Sequence, residues 1–159
     1  MQKLRGKWSG DLLFAVLAVL AVALLVAKCR YGFGYYDETF YIATARRFWC
    51  GDAPVAQEWN LAQFFALFTA PLVGLVETLA GGTRGIVLTF RYLFVGVQTA
   101  ASLFLYLRLR RLTPVGAALA AVAFLLFVPY NISALSYNSL GILFLVLAGT
   151  ILVTMRRHR

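Results

Sequence analysis

Five apolar runs, at residues 12–27, 61–79, 86–107, 115–130 and 140–155, occupy most of this 159-residue chain. A helix needs ~20 apolar residues to cross a bilayer, so each run is a candidate span. Hydrophobic residues make up 62% of the chain and charged residues 13%, with a mean hydropathy of +0.80. Soluble domains are normally about half apolar, so a water-soluble core cannot hide this much apolar surface. In lipid the backbone must satisfy its own hydrogen bonds, and runs of this length do so as helices. The expected fold is an all-α integral membrane protein forming a single transmembrane module.

The formal net charge of +9 is gathered at the ends of the apolar runs, in Lys3-Arg5-Lys7, Arg108-Arg110-Arg111 and Arg156-Arg157-Arg159. Cytoplasmic flanks that meet anionic lipid look like this, whereas a nucleic-acid surface would gather its charge on a polar face. Membrane lipids are therefore the expected partners, and nucleic acid is not. The first run has a basic flank like a signal peptide. Lys28 follows it directly, however, and no small-x-small cleavage site precedes a soluble domain, so it reads as a retained anchor.

Topology turns on residues 61–79. If that run spans and the N-terminus is inside, two basic clusters land outside, against the positive-inside rule. Two arrangements survive. In one, the N-terminus is inside, residues 61–79 lie along the outer interface, and four spans result at about 10–28, 86–107, 115–133 and 139–155. In the other, the N-terminus is outside and all five runs span. Counting Lys and Arg does not separate them. Pro71 and Glu77 inside the run favour four spans, with an external loop over 29–85. Within that loop, Tyr41, Ala45 and Phe48 recur at helical spacing while Arg46 and Arg47 fall off their face, which predicts an amphipathic helix over 38–49. Gly51 and Pro54 end it, and Phe48-Trp49 suit the interface. The loop thus carries two juxtamembrane helices. The small residues at 117–123 predict close helix packing.

Asp37 and Glu38 stand side by side just past the first span. Carboxylates are costly near hydrocarbon, which makes the pair a candidate site. A general base must stay ionised and reach a substrate hydroxyl, and Asp37 at a wet boundary can do both. It can equally serve as a helix N-cap, with Glu38 complementing the helix dipole. Residues alone leave these readings open, and they are compatible.

The order of an apolar first helix, Asp37-Glu38-x-x-Tyr41, Ala45-Arg46 and Gly51-Asp52-x-Pro54 resembles the start of the GT-C membrane glycosyltransferases. This group includes protein O-mannosyltransferases and lipid A aminoarabinose transferases. Arg91 and then Tyr106-Leu107-Arg108-Leu109-Arg110-Arg111 extend the resemblance, which runs to about Ser139. It implies a multi-pass protein of the cytoplasmic (inner) membrane, N-terminus inside, that uses a polyprenyl-phosphate-linked sugar on the external face. Asp37 would be the base, and Glu38 would orient it or help hold a divalent cation. Tyr41, Arg84, Arg91, Tyr137 and Asn138 would line the substrate site. Arg84 and Arg91 share one face if their helix begins early enough. Alternatively, Arg91 snorkels to the headgroups, and Tyr130, Tyr137 and Asn138 belong to an interfacial belt. The next external loop, 131–139, holds no carboxylate where many relatives have one, so metal dependence stays open. Complete relatives have about twice as many spans. The chain is therefore expected to be an amino-terminal part that works with the remainder of a larger transferase or with a partner subunit.

Cys29 and Cys50 fall in the same proposed loop. A disulfide between them would brace the Asp37 segment by about 3 kcal/mol. Neither has a His nearby, so a thiolate nucleophile or zinc site is not expected. The competing function is a non-catalytic multi-span membrane protein, such as a lipid-carrier flippase subunit or an assembly partner.

Overall fold

The computed structural model describes residues 2–31, 37–58, 60 and 62–155, with side chains from Ser9 onward. Six α-helices follow in order among the described residues: α1 (Gln2–Cys29), α2 (Asp37–Trp49), α3 (Phe65–Ala80), α4 (Ile86–Leu109), α5 (Pro114–Leu126) and α6 (Tyr137–Met155). A single 3-10 turn, Pro129–Asn131, joins the last two, and there is no strand among the described residues. Four segments among the described residues are long and apolar enough to cross a membrane: Ser9–Cys29, Ile86–Leu109, Pro114–Asn131 and Tyr137–Met155. The protein is an all-α membrane protein with two further helices between its first and second spans. α3 has 16 residues, a length of about 24 Å at helical rise, short of a ~30 Å hydrocarbon core.

The chain divides into two compact units. The first comprises 1–28, 95–128 and 142–159; the second comprises 29–94 and 129–141. Several polar side chains of the first unit bond to other groups of that unit. Ser102 donates to the Ala121 carbonyl at 2.7 Å, which the buried small residues Ala117, Ala118 and Ala121 allow. Gln98 donates to the Phe124 and Phe127 carbonyls at 2.8 and 3.1 Å, satisfying groups that the end of α5 leaves without helical partners. At the start of α5, Thr113 accepts from Gly116 N, and Pro114 takes the first helical position, where no N–H is needed. The Tyr106 hydroxyl donates to Asp11, which also pairs with Arg110 at 3.1 Å, and Phe14 stacks on Tyr106 at 4.1 Å.

In the second unit, α2 packs its predicted face against α3. Tyr41, Ile42 and Ala45 meet Phe65, Ala66 and Val73, and Ile86, Phe90, Ile132 and Ala134 complete the core. Asp37 and Glu38 open α2 while Arg46 and Arg47 close it, so both ends complement the helix dipole. Arg46 pairs with Glu77 at 2.5 Å, which accounts for the acid inside an apolar run. Gly74 leaves room for Trp49: a Cβ there would collide with the indole ring. Gly81, at φ 66, ends α3 in the left-handed conformation that glycine adopts without strain. The opposite face of α3, with Leu67, Phe68, Leu75 and Leu79, is exposed. Beyond α2, Arg47 gathers Asp52, Glu58 and the Gln57 carbonyl at 2.6–2.8 Å.

Candidate functional site

Two adjacent carboxylates at the start of α2 meet opposite environments. Glu38 is turned inward, with its side chain 4% exposed. Its Oε2 accepts from Arg91 Nε at 2.8 Å and Nη2 at 2.5 Å, and its Oε1 accepts from the Ser133 backbone N–H at 3.0 Å. Arg91 Nη1 donates to the Cys29 carbonyl at 2.8 Å. One ion pair therefore ties together the end of α1, the start of α2, α4 and the segment before α6. Charge-assisted fork geometry and full burial make this a specific joint. Removing either partner alone would leave a buried charge uncompensated.

Asp37 is exposed. The chain has six carboxylates, and five of them (Asp11, Glu38, Asp52, Glu58 and Glu77) are in ion pairs with arginine. Among the described residues, Asp37 has no ion-pair partner. It lines a cleft of about 340 Å³ together with Tyr41, Asn60, Tyr130, Tyr137 and Asn138. Burial pushes the Tyr41 phenol up to about 12, and the nearby Tyr137 and Asp37 add to the shift. Tyr41 is thus a neutral hydroxyl donor at ordinary pH. Its ring meets Tyr137 edge-on at 6.0 Å and Phe65 at 5.1 Å, which fixes its orientation.

The residues singled out in the sequence separate into two groups. Asp37, Tyr41, Tyr137 and Asn138 come together in the cleft. Glu38 and Arg91 neutralise each other, and Arg91 neither snorkels nor presents an unpaired guanidinium to a phosphate. A divalent cation at Glu38 would have to displace Arg91 and Ser133. No group of three or more His, Cys, Asp or Glu side chains is placed to hold a metal among the described residues. Arg84 lies in the exposed turn before α4, which begins only at Ile86 because Gly85, at φ 77, is not helical. It therefore does not share a helical face with Arg91. No disulfide joins the cysteines: Cys29 is a buried thiol at the end of α1, and Cys50 is an exposed one past α2. The helix α2 already begins at Asp37, so its N-cap position is residue 36, which lies outside the described residues.

A second cavity, about 510 Å³, lies at the start of α4. Its walls include Ile86, Val87 and Leu88, with Arg30 and Arg91 as its cationic members. Arg30 donates to the Tyr92 hydroxyl at 3.3 Å, a contact that raises its pKa further. Sequence reasoning missed Arg30, Asn60 and the Glu38–Arg91 joint. The joint had one available signal: an ionisable residue inside a span calls for a partner of opposite charge. Comparison of the chain with protein-family models, with curated proteins and with solved structures finds no match.

Proposed function

We propose that the protein is a glycosyltransferase module of the GT-C type, acting in the cytoplasmic membrane with its N-terminus inside. In this reading the loop carrying α2 and α3 lies outside, where a polyprenyl-phosphate sugar is presented. Asp37 removes the proton from an acceptor hydroxyl as that oxygen attacks the anomeric carbon. The bond to the carrier phosphate breaks, the lipid phosphate leaves with the bonding electrons, and the sugar is transferred with inversion. The observation that carries the reading is that five of the six carboxylates are paired with arginine, while Asp37 stands exposed at a cleft with no arginine partner among the described residues. A carboxylate in that setting is accessible to an acceptor hydroxyl, as a base must be. Tyr41, Tyr137 and Asn138 supply hydrogen-bonding groups beside it. With Arg91 paired to Glu38, the proposal assigns the leaving phosphate to the exposed Arg30 and Arg84. The module works with the remainder of a larger transferase or with a partner subunit.

Asp37→Asn tests it directly: transfer to an acceptor is lost while folding and membrane insertion are unchanged. Full activity in that variant would sink the assignment. Sidedness has its own test, which the buried state of Cys29 simplifies. A membrane-impermeant thiol reagent reads Cys50, which is labelled in intact cells if the loop is external. Labelling only after lysis would place α2 in the cytoplasm and remove the transferase reading. In the competing, non-catalytic reading, Asp37→Asn changes partner binding and purified protein never transfers sugar.

A further inference from the structure

The Asp37 cleft has a lining that limits what it can hold. Asp37 is its one charged group among the described lining residues; the others are phenols, amides and apolar side chains. Asn60 Oδ1 accepts from Ala62 N at 2.8 Å, which fixes that amide with its NH2 as the donor offered to a ligand. Asn138 provides a second amide. Tyr130 is the unusual member. It sits at φ 52, ψ 20, followed by Asn131 at φ 59, so two successive non-glycine residues take the left-handed conformation. That conformation is unfavourable for a bulky side chain, and burial does not offset it, because Tyr130 is 80% exposed. The turn is nonetheless well anchored: Ile132 N bonds to the Pro129 carbonyl, Ile132 and Ala134 are in the core, and Ser133 N bonds to Glu38. A strained backbone here holds an aromatic ring out at the rim of a polar cleft.

A ligand suited to this lining has an apolar flat face for the ring and several neutral hydroxyls for the amides, phenols and carboxylate. A pyranose ring has both. We infer that the acceptor taken by this cleft is a saccharide hydroxyl, with Tyr130 as the platform on which its ring stacks. An extended hydroxyl-bearing peptide fits less well, because it would need a run of backbone partners and the cleft offers side-chain groups. The inference rests on the transferase reading for the word acceptor, and on the cleft alone for saccharide binding.

The test uses the full 159-residue chain in lipid nanodiscs, with glycoside detergents kept out because their headgroups would compete. Saturation-transfer NMR is run with methyl α-D-mannopyranoside, with methyl β-D-glucopyranoside and with a short Ser/Thr peptide. At least one glycoside receives saturation on its ring C–H protons. Tyr130→Phe retains this binding, and Tyr130→Gly weakens it about tenfold. Glycine adopts the left-handed turn without strain, so Tyr130→Gly melts no lower than the parent and the loss is not misfolding. Saturation of the peptide alone overturns the inference. So does glycoside binding that ignores Tyr130→Gly, which would leave the ring as an interfacial anchor. Binding of glycoside by a protein that transfers no sugar keeps the saccharide site and ends the transferase reading. Transfer to the peptide but to no glycoside does the reverse.

Discussion

The two compact units treat their polar groups differently. In the unit built from 1–28, 95–128 and 142–159, polar side chains are turned to holding helices: Gln98 and Ser102 reach carbonyls of the neighbouring helix region, and Asp11 is shared by Tyr106 and Arg110. The unit built from 29–94 and 129–141 also satisfies its buried groups, through Glu38–Arg91, Arg46–Glu77 and the Arg47 cluster. It then leaves Asp37 exposed at a cleft without a guanidinium among the described residues. A membrane protein can tolerate a costly polar group as structure when a partner cancels it. One that is kept without such a partner invites a chemical explanation.

That contrast is sharpest between Asp37 and Glu38, neighbours in sequence. Asp37→Asn is expected to lower transfer by about 10²–10⁴-fold, the usual contribution of a general base, and to leave the melting temperature unchanged. A melting shift without an activity loss would reverse the assignment of the two carboxylates. Arg91→Leu is the complementary change. It strands the buried Glu38 carboxylate and should cost about 3–5 kcal/mol of stability, visible as a large drop in melting temperature in detergent. Adding Glu38→Leu to it should recover much of that loss, because no lone buried charge remains. A failure to recover would mean that the Ser133 and Cys29 contacts, not the charge, carry the joint.

The other unit should respond more mildly. Gln98→Leu removes two hydrogen bonds to the end of α5 and should lower stability by about 1 kcal/mol, since polar contacts inside membranes average less than that each. Transfer activity measured below the melting transition should be unaffected. The smallest effect concerns Tyr41. Burial raises its folded pKa above the ordinary value near 10, so the folded state holds the phenolic proton more tightly than the unfolded chain does. This contribution is complete below about pH 10 and is lost as pH climbs through about 12. The difference in tyrosinate absorbance between the parent and Tyr41→Phe, followed across that range, checks it. A Tyr41 titration near 10 would show a cleft floor more open than the core around Ile42 and Phe65 implies.

Much of the architecture was legible because it follows from local rules. Four apolar runs became segments long and apolar enough to span, and the run at 61–79 became a 16-residue helix with Pro71 and Glu77 inside it. The face Tyr41, Ala45 and Phe48 of α2 packs inward as its spacing predicts, and Arg46 and Arg47 point out. The third span was less legible. α5 stops at Leu126, and the segment up to Asn131 continues through an extended cap and a 3-10 turn, which hydropathy cannot register. The candidate site was legible as residue types and not as partnerships. Asp37, Tyr41, Tyr137 and Asn138 were identified and come together, whereas Arg84 and Arg91 do not share a face, because Gly85 delays the start of α4.

The sequence by itself determined the solvent, the helices and the polarity of each helix face, because these depend on hydrophobicity and on a period of 3.6 residues within one segment. Only the tertiary structure decided which of two adjacent carboxylates is neutralised. One residue along a helix is a rotation of about 100°, enough to carry Glu38 inward to Arg91, 53 positions away, and to leave Asp37 at the cleft. That outcome depends on where α4 and the segment 129–136 come to rest, and no local pattern in the chain encodes a distance between segments so far apart.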